Sequence, residues 1–173
     1  MVVAATGFFD GVHLGHRAVL NSLVETARQT GGRSLVLTFW PHPRAVLQQD
    51  AQRFRLLTSL EEKKEMVLGL GVDDFEVIHF TRDLSAVSAG VFFREYLRDR
   101  YRVNILVAGY NHRLGSDAVS DTAPMHQEAR NTGLEVVRVP EYVSSQGEHI
   151  SSTKIRAALS AGSVETANRW LGY

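Results

Sequence analysis

The chain has 173 residues, of which 44% are hydrophobic, and its 19 basic and 19 acidic side chains cancel. That size and apolar content suit one domain with a single good core. The balanced charge excludes a global pull toward nucleic acid or anionic membrane, so any anionic ligand must be held by locally placed groups. The absence of cysteine removes disulfides, thiolate metal sites and a cysteine nucleophile, and fits a reducing cytoplasm. No apolar run approaches a signal-peptide core or membrane span, which predicts a soluble domain that engages no membrane.

In chain order, Val2 to Thr6 is a short apolar run that stops at Gly7 and predicts a strand. A helical pattern follows from about Leu14 to Thr30, with Gly31 and Gly32 suited to stop it. Leu35 to Phe39 is a continuous apolar strand left through Pro41. Thr58, with Glu61 three residues later, reads as a capping box opening a helix that ends near Gly69 or Gly71. Phe75 to Phe80 predicts the next strand, Val91 to Tyr101 an amphipathic helix, and Val103 to Ala108 a fourth strand. Ala123 to Thr132 predicts a helix capped by Asp121 or Thr122, followed by a fifth strand from Leu134 to Val139. Short helices from about Ser152 and about Val164 complete the pattern.

Continuous apolar strands alternating with helices predict a doubly wound α/β domain with a parallel sheet of about five strands. Ligands in such folds lie beyond the carboxyl ends of the strands. The loops after each strand are therefore the candidate walls of one site.

Two of these loops carry most of the chemistry. Gly7-Phe8-Phe9-Asp10-Gly11-Val12-His13-Leu14-Gly15-His16 runs from the first strand into the first helix. Free backbone amides and the positive end of a helix dipole meet there. Gly11 and Gly15 would let a bulky anion approach the backbone, and His13 and His16 would place two imidazoles beside it. The constellation suits a polyphosphate. It is neither a P-loop nor a dinucleotide fingerprint, and two histidines without a third ligand at motif spacing make a poor zinc site. In Ile150-Ser151-Ser152-Thr153-Lys154-Ile155-Arg156, hydroxyls precede a second helix and cations lie in its first turn. Taken alone that is an ordinary N-cap; beside the histidine-bearing helix it makes sense as the other half of a phosphate clamp.

Together with Phe39-Trp40-Pro41-His42-Pro43-Arg44, these stretches resemble the three signatures of the adenylyltransferase module of bacterial FAD synthetases. The match spans nearly the whole chain in the family's order. H-x-G-H alone marks only the wider nucleotidyltransferase superfamily, with its Rossmann-like fold; the added Pro-His-Pro-Arg and Ile-Ser-Ser-Thr narrow it. The resemblance implies transfer of AMP from ATP to the phosphate of FMN, with Mg²⁺ bridging phosphate oxygens. It implies that His13, His16 and Arg156 act at the phosphates. Gly7, Phe8, Phe9, Asp10 and Gly15 would line the nucleotide cleft, and Ser151, Ser152 and Thr153 would hold the phosphates from the opposite side. Pro41, Pro43 and Asn111 are the candidates beside FMN. Asp10 is a candidate metal ligand, with a loop-stabilising role at least as good a reading.

Gly109 to Gly115 corresponds to a motif usually resembling G-Y-D-F-R-F-G, here with Asn111, His112 and Leu114 in place of Asp, Phe and Phe. The family often carries a riboflavin kinase module behind this one; the expectation is a single adenylyltransferase domain over 1–173, with Trp170 to Tyr173 similar to the junction into that module. Alternatives are transfer to another phosphorylated acceptor, or a flavin- or nucleotide-binding module without turnover. His42, His79, His126 and His149 are expected to be structural or superficial, and Lys63 and Lys64 to lie on a solvated helix face.

Overall fold

The computed structural model describes residues 1–47, 55–110, 112, 115–116 and 122–173. One sheet organises them. Strands β1 (Val2–Thr6), β2 (Arg33–Trp40), β3 (Asp74–His79), β4 (Val103–Gly109) and β5 (Glu135–Val139) lie in the order β3-β2-β1-β4-β5, and every pairing is parallel. This is the doubly wound sheet expected from the sequence. The chain leaves β1 toward β2 on one side and reaches β4 on the other, so the reversal of strand order opens a crevice at the carboxyl ends of β1 and β4.

Helices α1 (Leu14–Thr30), α2 (Pro43–Leu47), α3 (Leu60–Gly69), α4 (Arg82–Ser85), α5 (Ala89–Val91), α6 (Thr122–Asn131), α7 (Ser152–Ser160) and α8 (Val164–Leu171) surround the sheet. The strand period of two divides the core. Ala4, Leu35, Leu37 and Leu106 face one layer with Phe92, Phe93 and Leu97; Val3, Ala5, Val36 and Val107 face the other with Leu20, Leu23 and Val67. A smaller cluster of Ile150, Ile155, Ala167 and Leu171 packs α7 and α8 against Leu14, at the start of α1.

Two local details depart from the sequence pattern. The capping box of α3 is built by Ser59 and Glu62, one residue later than expected, because the Thr58 hydroxyl instead accepts a hydrogen bond from the Gly11 amide at 3.2 Å. The helix anticipated over Val91 to Tyr101 starts at Ala89, capped by Ser88, then widens into π-type winding over Phe92–Arg100. Its end is marked by Tyr101 N–H donating to Tyr96 O at 3.0 Å. Both α2 and α4 are too short to leave a periodic signal.

Candidate active site

The crevice has a volume of about 670 Å³, within the usual range for small-molecule sites. Its floor is the loop between β1 and α1. That loop carries Phe9 at φ 48°, Gly11 at φ 81° and Val12 at φ 37°. Left-handed backbone at an aromatic and a β-branched residue is strained and persists only where the surroundings over-determine it. Here they do. Both side chains are buried; Val12 N–H donates to Phe9 O at 3.1 Å, and Tyr173 Oη donates to Gly11 O at 2.9 Å.

Asp10 anchors the loop from within. It is 2% exposed, and its Oδ1 accepts from the Leu57 and Thr58 amides at 2.9 and 3.3 Å. Its Oδ2 accepts from Arg156 Nη1 at 2.6 Å, and its backbone carbonyl accepts from Ser152 Oγ at 2.9 Å. Loop and α7 are thereby locked together. Among the described residues no group of three or more His, Asp or Glu could hold a metal, and Asp10 is the single carboxylate lining the crevice. With both its oxygens engaged, the donor set does not make a protein cage for a divalent cation.

Two helix amino ends meet at this floor. At α1, His13 is the N-cap: His16 N–H donates to His13 Nδ1 at 3.3 Å. That bond requires a bare Nδ1, so the neutral ring carries its proton on Nε2. The His13 and His16 rings stack at 3.6 Å with an 18° interplanar angle. Burial, with the Arg156 charge as a lesser cause, lowers His13 to about 4. Burial, then the His13 and Lys63 charges, holds His16 well below the ordinary imidazole value. His16 Nδ1 is buried with no hydrogen-bond partner. At α7, Ser151 is the N-cap and accepts from Lys154 N–H at 3.3 Å, while Arg156 Nη2 reaches Thr153 Oγ1 at 3.5 Å. The first amides of both helices lack intrahelical acceptors.

The opposite wing is apolar. Phe8, Phe39, Phe80, Leu84 and Phe92 line it, with Phe8 5.4 Å from Phe39 and 4.8 Å from the His42 ring. Burial lowers His42 to about 4. At the ends of β1 and β4, Thr6 Oγ1 and His112 Nε2 share a 2.9 Å hydrogen bond, and burial lowers His112 to about 4.

The structure brings together His13, His16 and Arg156, and with them Gly7, Phe8, Phe9, Asp10 and Gly15 from one side and Ser151, Ser152 and Thr153 from the other. Pro43 lines the crevice; Pro41, after the cis Trp40–Pro41 bond, lies outside the lining. Asn111 lies outside the described residues.

Three expectations need correction. Gly11 and Gly15 do not simply clear the way for an anion. A Cβ on Gly11 would come 2.7 Å from Leu57, and one on Gly15 would come 3.2 Å from the His13 ring. His42 is a wall of the crevice, a position its Pro-His-Pro setting could have signalled. Lys63 is 2% exposed, with its ammonium 6.0 Å from the centroid of the Trp40 ring. A Lys-Lys pair in an acidic helix start gives no sign of which lysine turns inward.

A family model described as FAD synthetase matches residues 1–154. The chain is 39% identical over 171 residues to a bifunctional riboflavin kinase/FMN adenylyltransferase of Listeria monocytogenes, covering 99% of this chain and 54% of that protein. It is 34% identical to the Bacillus subtilis protein of the same description, covering 98% and 53%. The chain thus spans about half the length of these relatives. Among solved structures, a Streptococcus pneumoniae protein described as a macrolide-efflux protein superposes with a TM-score of 0.85 at 28% identity, over 99% of this chain and 56% of that one. Among the described residues no helix is long and apolar enough to cross a membrane. Pantothenate synthetase from Thermus thermophilus shares the fold, with a TM-score of 0.55 at 17% identity over 98% of this chain and 64% of that one.

Proposed function

Because this chain belongs to the FAD synthetase family, we propose that its crevice joins the AMP half of ATP to the phosphate of FMN and releases pyrophosphate. The observation that carries this is the convergence of two helix amino ends on one strained floor. One brings stacked neutral imidazoles, the other hydroxyls and a guanidinium. Such an arrangement binds phosphate oxygens from two sides.

An oxygen of the FMN phosphate attacks the α-phosphorus of ATP. The bond from that phosphorus to the bridging oxygen of the β-phosphate breaks, and its electron pair leaves with pyrophosphate. The second ionisation of a phosphate monoester falls at about 6, so the nucleophile is already ionised at neutral pH and no general base is required. The residues' task is to align two polyanions and balance charge that builds on the α-phosphate and the departing group. His13 would donate through Nε2–H. His16 would offer its ring, whose Nδ1 has no hydrogen-bond partner among the described residues, and Arg156 its fixed charge. Mg²⁺ would enter on the triphosphate, where it neutralises phosphate charge, because the described side chains offer no cage for it. The apolar wing, with Pro43 and His42 at its edge, would take the flavin.

Incubation of the chain with ATP, FMN and Mg²⁺, followed by chromatography, tests the proposal: FAD should accumulate with stoichiometric pyrophosphate. A panel of other phosphorylated acceptors should give none. The kinase activity in the relatives' description would belong to sequence outside the matched half, so riboflavin should remain unconverted. Tight FMN binding without pyrophosphate would sink the reading.

A further inference from the structure

Lys63 is as thoroughly withdrawn from water as the aliphatic core, at 2% exposure, and it is not among the residues lining the crevice. It sits on α3, whose lead-in residues Leu57 and Thr58 donate their amides to Asp10. Its ammonium lies over Trp40, which leads into the Pro-His-Pro loop. Enclosing a lysine this way is costly unless its charge is compensated or used. The obvious counter-ion is already committed: Asp10 is bound by Arg156 at 2.6 Å. Those two charges sum to zero. In a chain whose total charge is also zero, Lys63 is what leaves the trio of Asp10, Arg156 and Lys63 with a net positive charge.

We propose that Lys63 is a positioning residue that sets the positive potential of the crevice floor from behind, through Asp10 and the imidazoles, and so tunes the site for a polyphosphate. The idea rests on the adenylyl-transfer reading for the identity of that ligand. Lys63 is electrostatically coupled to Asp10 on the loop, to His16 on α1 and to His42 before α2. Burial lowers the Lys63 pKa while Asp10 raises it, and the Lys63 charge in turn helps keep His16 and His42 unprotonated. Buried in this way, the charge is little screened by salt.

The test uses inorganic tripolyphosphate, with no turnover required. By calorimetry at neutral pH, Lys63→Met should weaken its binding at least about tenfold, the change expected for removing one unit charge about 12 Å from one phosphate charge at an effective dielectric of about 20. Lys63→Arg should bind it within a few-fold of the parent. In the unaltered chain, the Lys63 titration followed by NMR of ¹³C-labelled lysine should move to higher pH when tripolyphosphate is added, because binding and protonation are reciprocally linked. A folded Lys63→Met chain that binds tripolyphosphate as the parent does overturns the assignment. If that variant does not fold, an unmoved Lys63 titration in the parent overturns it equally. A chain that yields no FAD yet couples Lys63 to tripolyphosphate supports the charge assignment and removes the adenylyl-transfer reading instead.

Discussion

Arg156 Nη1 meets Asp10 Oδ2 at 2.6 Å across 146 positions of sequence, with the two side chains 19% and 3% exposed. The contact ties the first loop of the sheet to the helix that closes the crevice. Removing one partner strands the other, and breaking a buried pair from one side costs about 3–5 kcal/mol. Arg156→Met should therefore lose stability on that scale in urea unfolding and turn over FMN on the order of 10²–10³ more slowly. Adding Asp10→Asn to Arg156→Met should return part of the stability and none of the rate.

The two imidazoles should separate by substitution. His16→Ala should lower turnover on the order of 10²–10³, the scale for losing one preorganised donor. His13→Asn keeps an acceptor for the His16 amide, so the cap survives with stability within about 0.5 kcal/mol, while the Nε2–H donor disappears and turnover falls by a similar factor. Equal activity of His13→Asn and the parent would remove the donor role of that ring.

The buried histidines make stability depend on pH in a defined direction. His13 and His42 fall from 6.5 in the unfolded chain to about 4 in the folded one, so below 6.5 the unfolded state binds more protons. Stability should be full above about 6.5 and be lost as pH drops toward 4. His42→Asn should flatten that slope in thermal melts. The acid limb of kcat/KM should instead lie near 6, where the FMN phosphate loses its second proton at about that pH, and should not move in the same variant.

Much of this was readable beforehand. The five strands follow from apolar runs of the right length between turn residues, α1 from its helical pattern and glycine stop, and α7 from its hydroxyl cap. What stayed hidden depends on contacts distant in sequence. Thr58 is a good cap in its own segment, but Gly11 takes its hydroxyl; Lys63 and Lys64 are equivalent until packing buries one. Glycines at a phosphate loop suggest room for ligand, whereas Gly15 makes room for the His13 ring. Gly15→Ala, with its Cβ 3.2 Å from that ring, should displace the imidazole by a fraction of an ångström. Turnover should then drop on the order of tenfold, since small misplacements near the chemistry are expensive. Unchanged kinetics would show that His13 tolerates the shift.

Thr6 and His112 form a polar pair where the family motif usually brings an aromatic. His112→Phe would leave the buried Thr6 hydroxyl without its partner at a cost of about 1–3 kcal/mol. Combining it with Thr6→Val should recover most of that loss, read as a coupling energy in a double-mutant cycle of unfolding free energies. Additive losses would mean that the hydrogen bond contributes nothing of its own.

The crevice is lined both by a cluster of phenyl rings, Phe8, Phe39, Phe80 and Phe92, and by the stacked imidazoles, hydroxyls and guanidinium at the two helix starts. An amphipathic guest therefore has one cheap way to lie in it. Turned end for end, it would press its phosphates against Phe39 and Phe80 and surrender their hydration for nothing. Orientation is thus decided by solvation before any bond changes, and the phenyl cluster screens for direction as well as for shape.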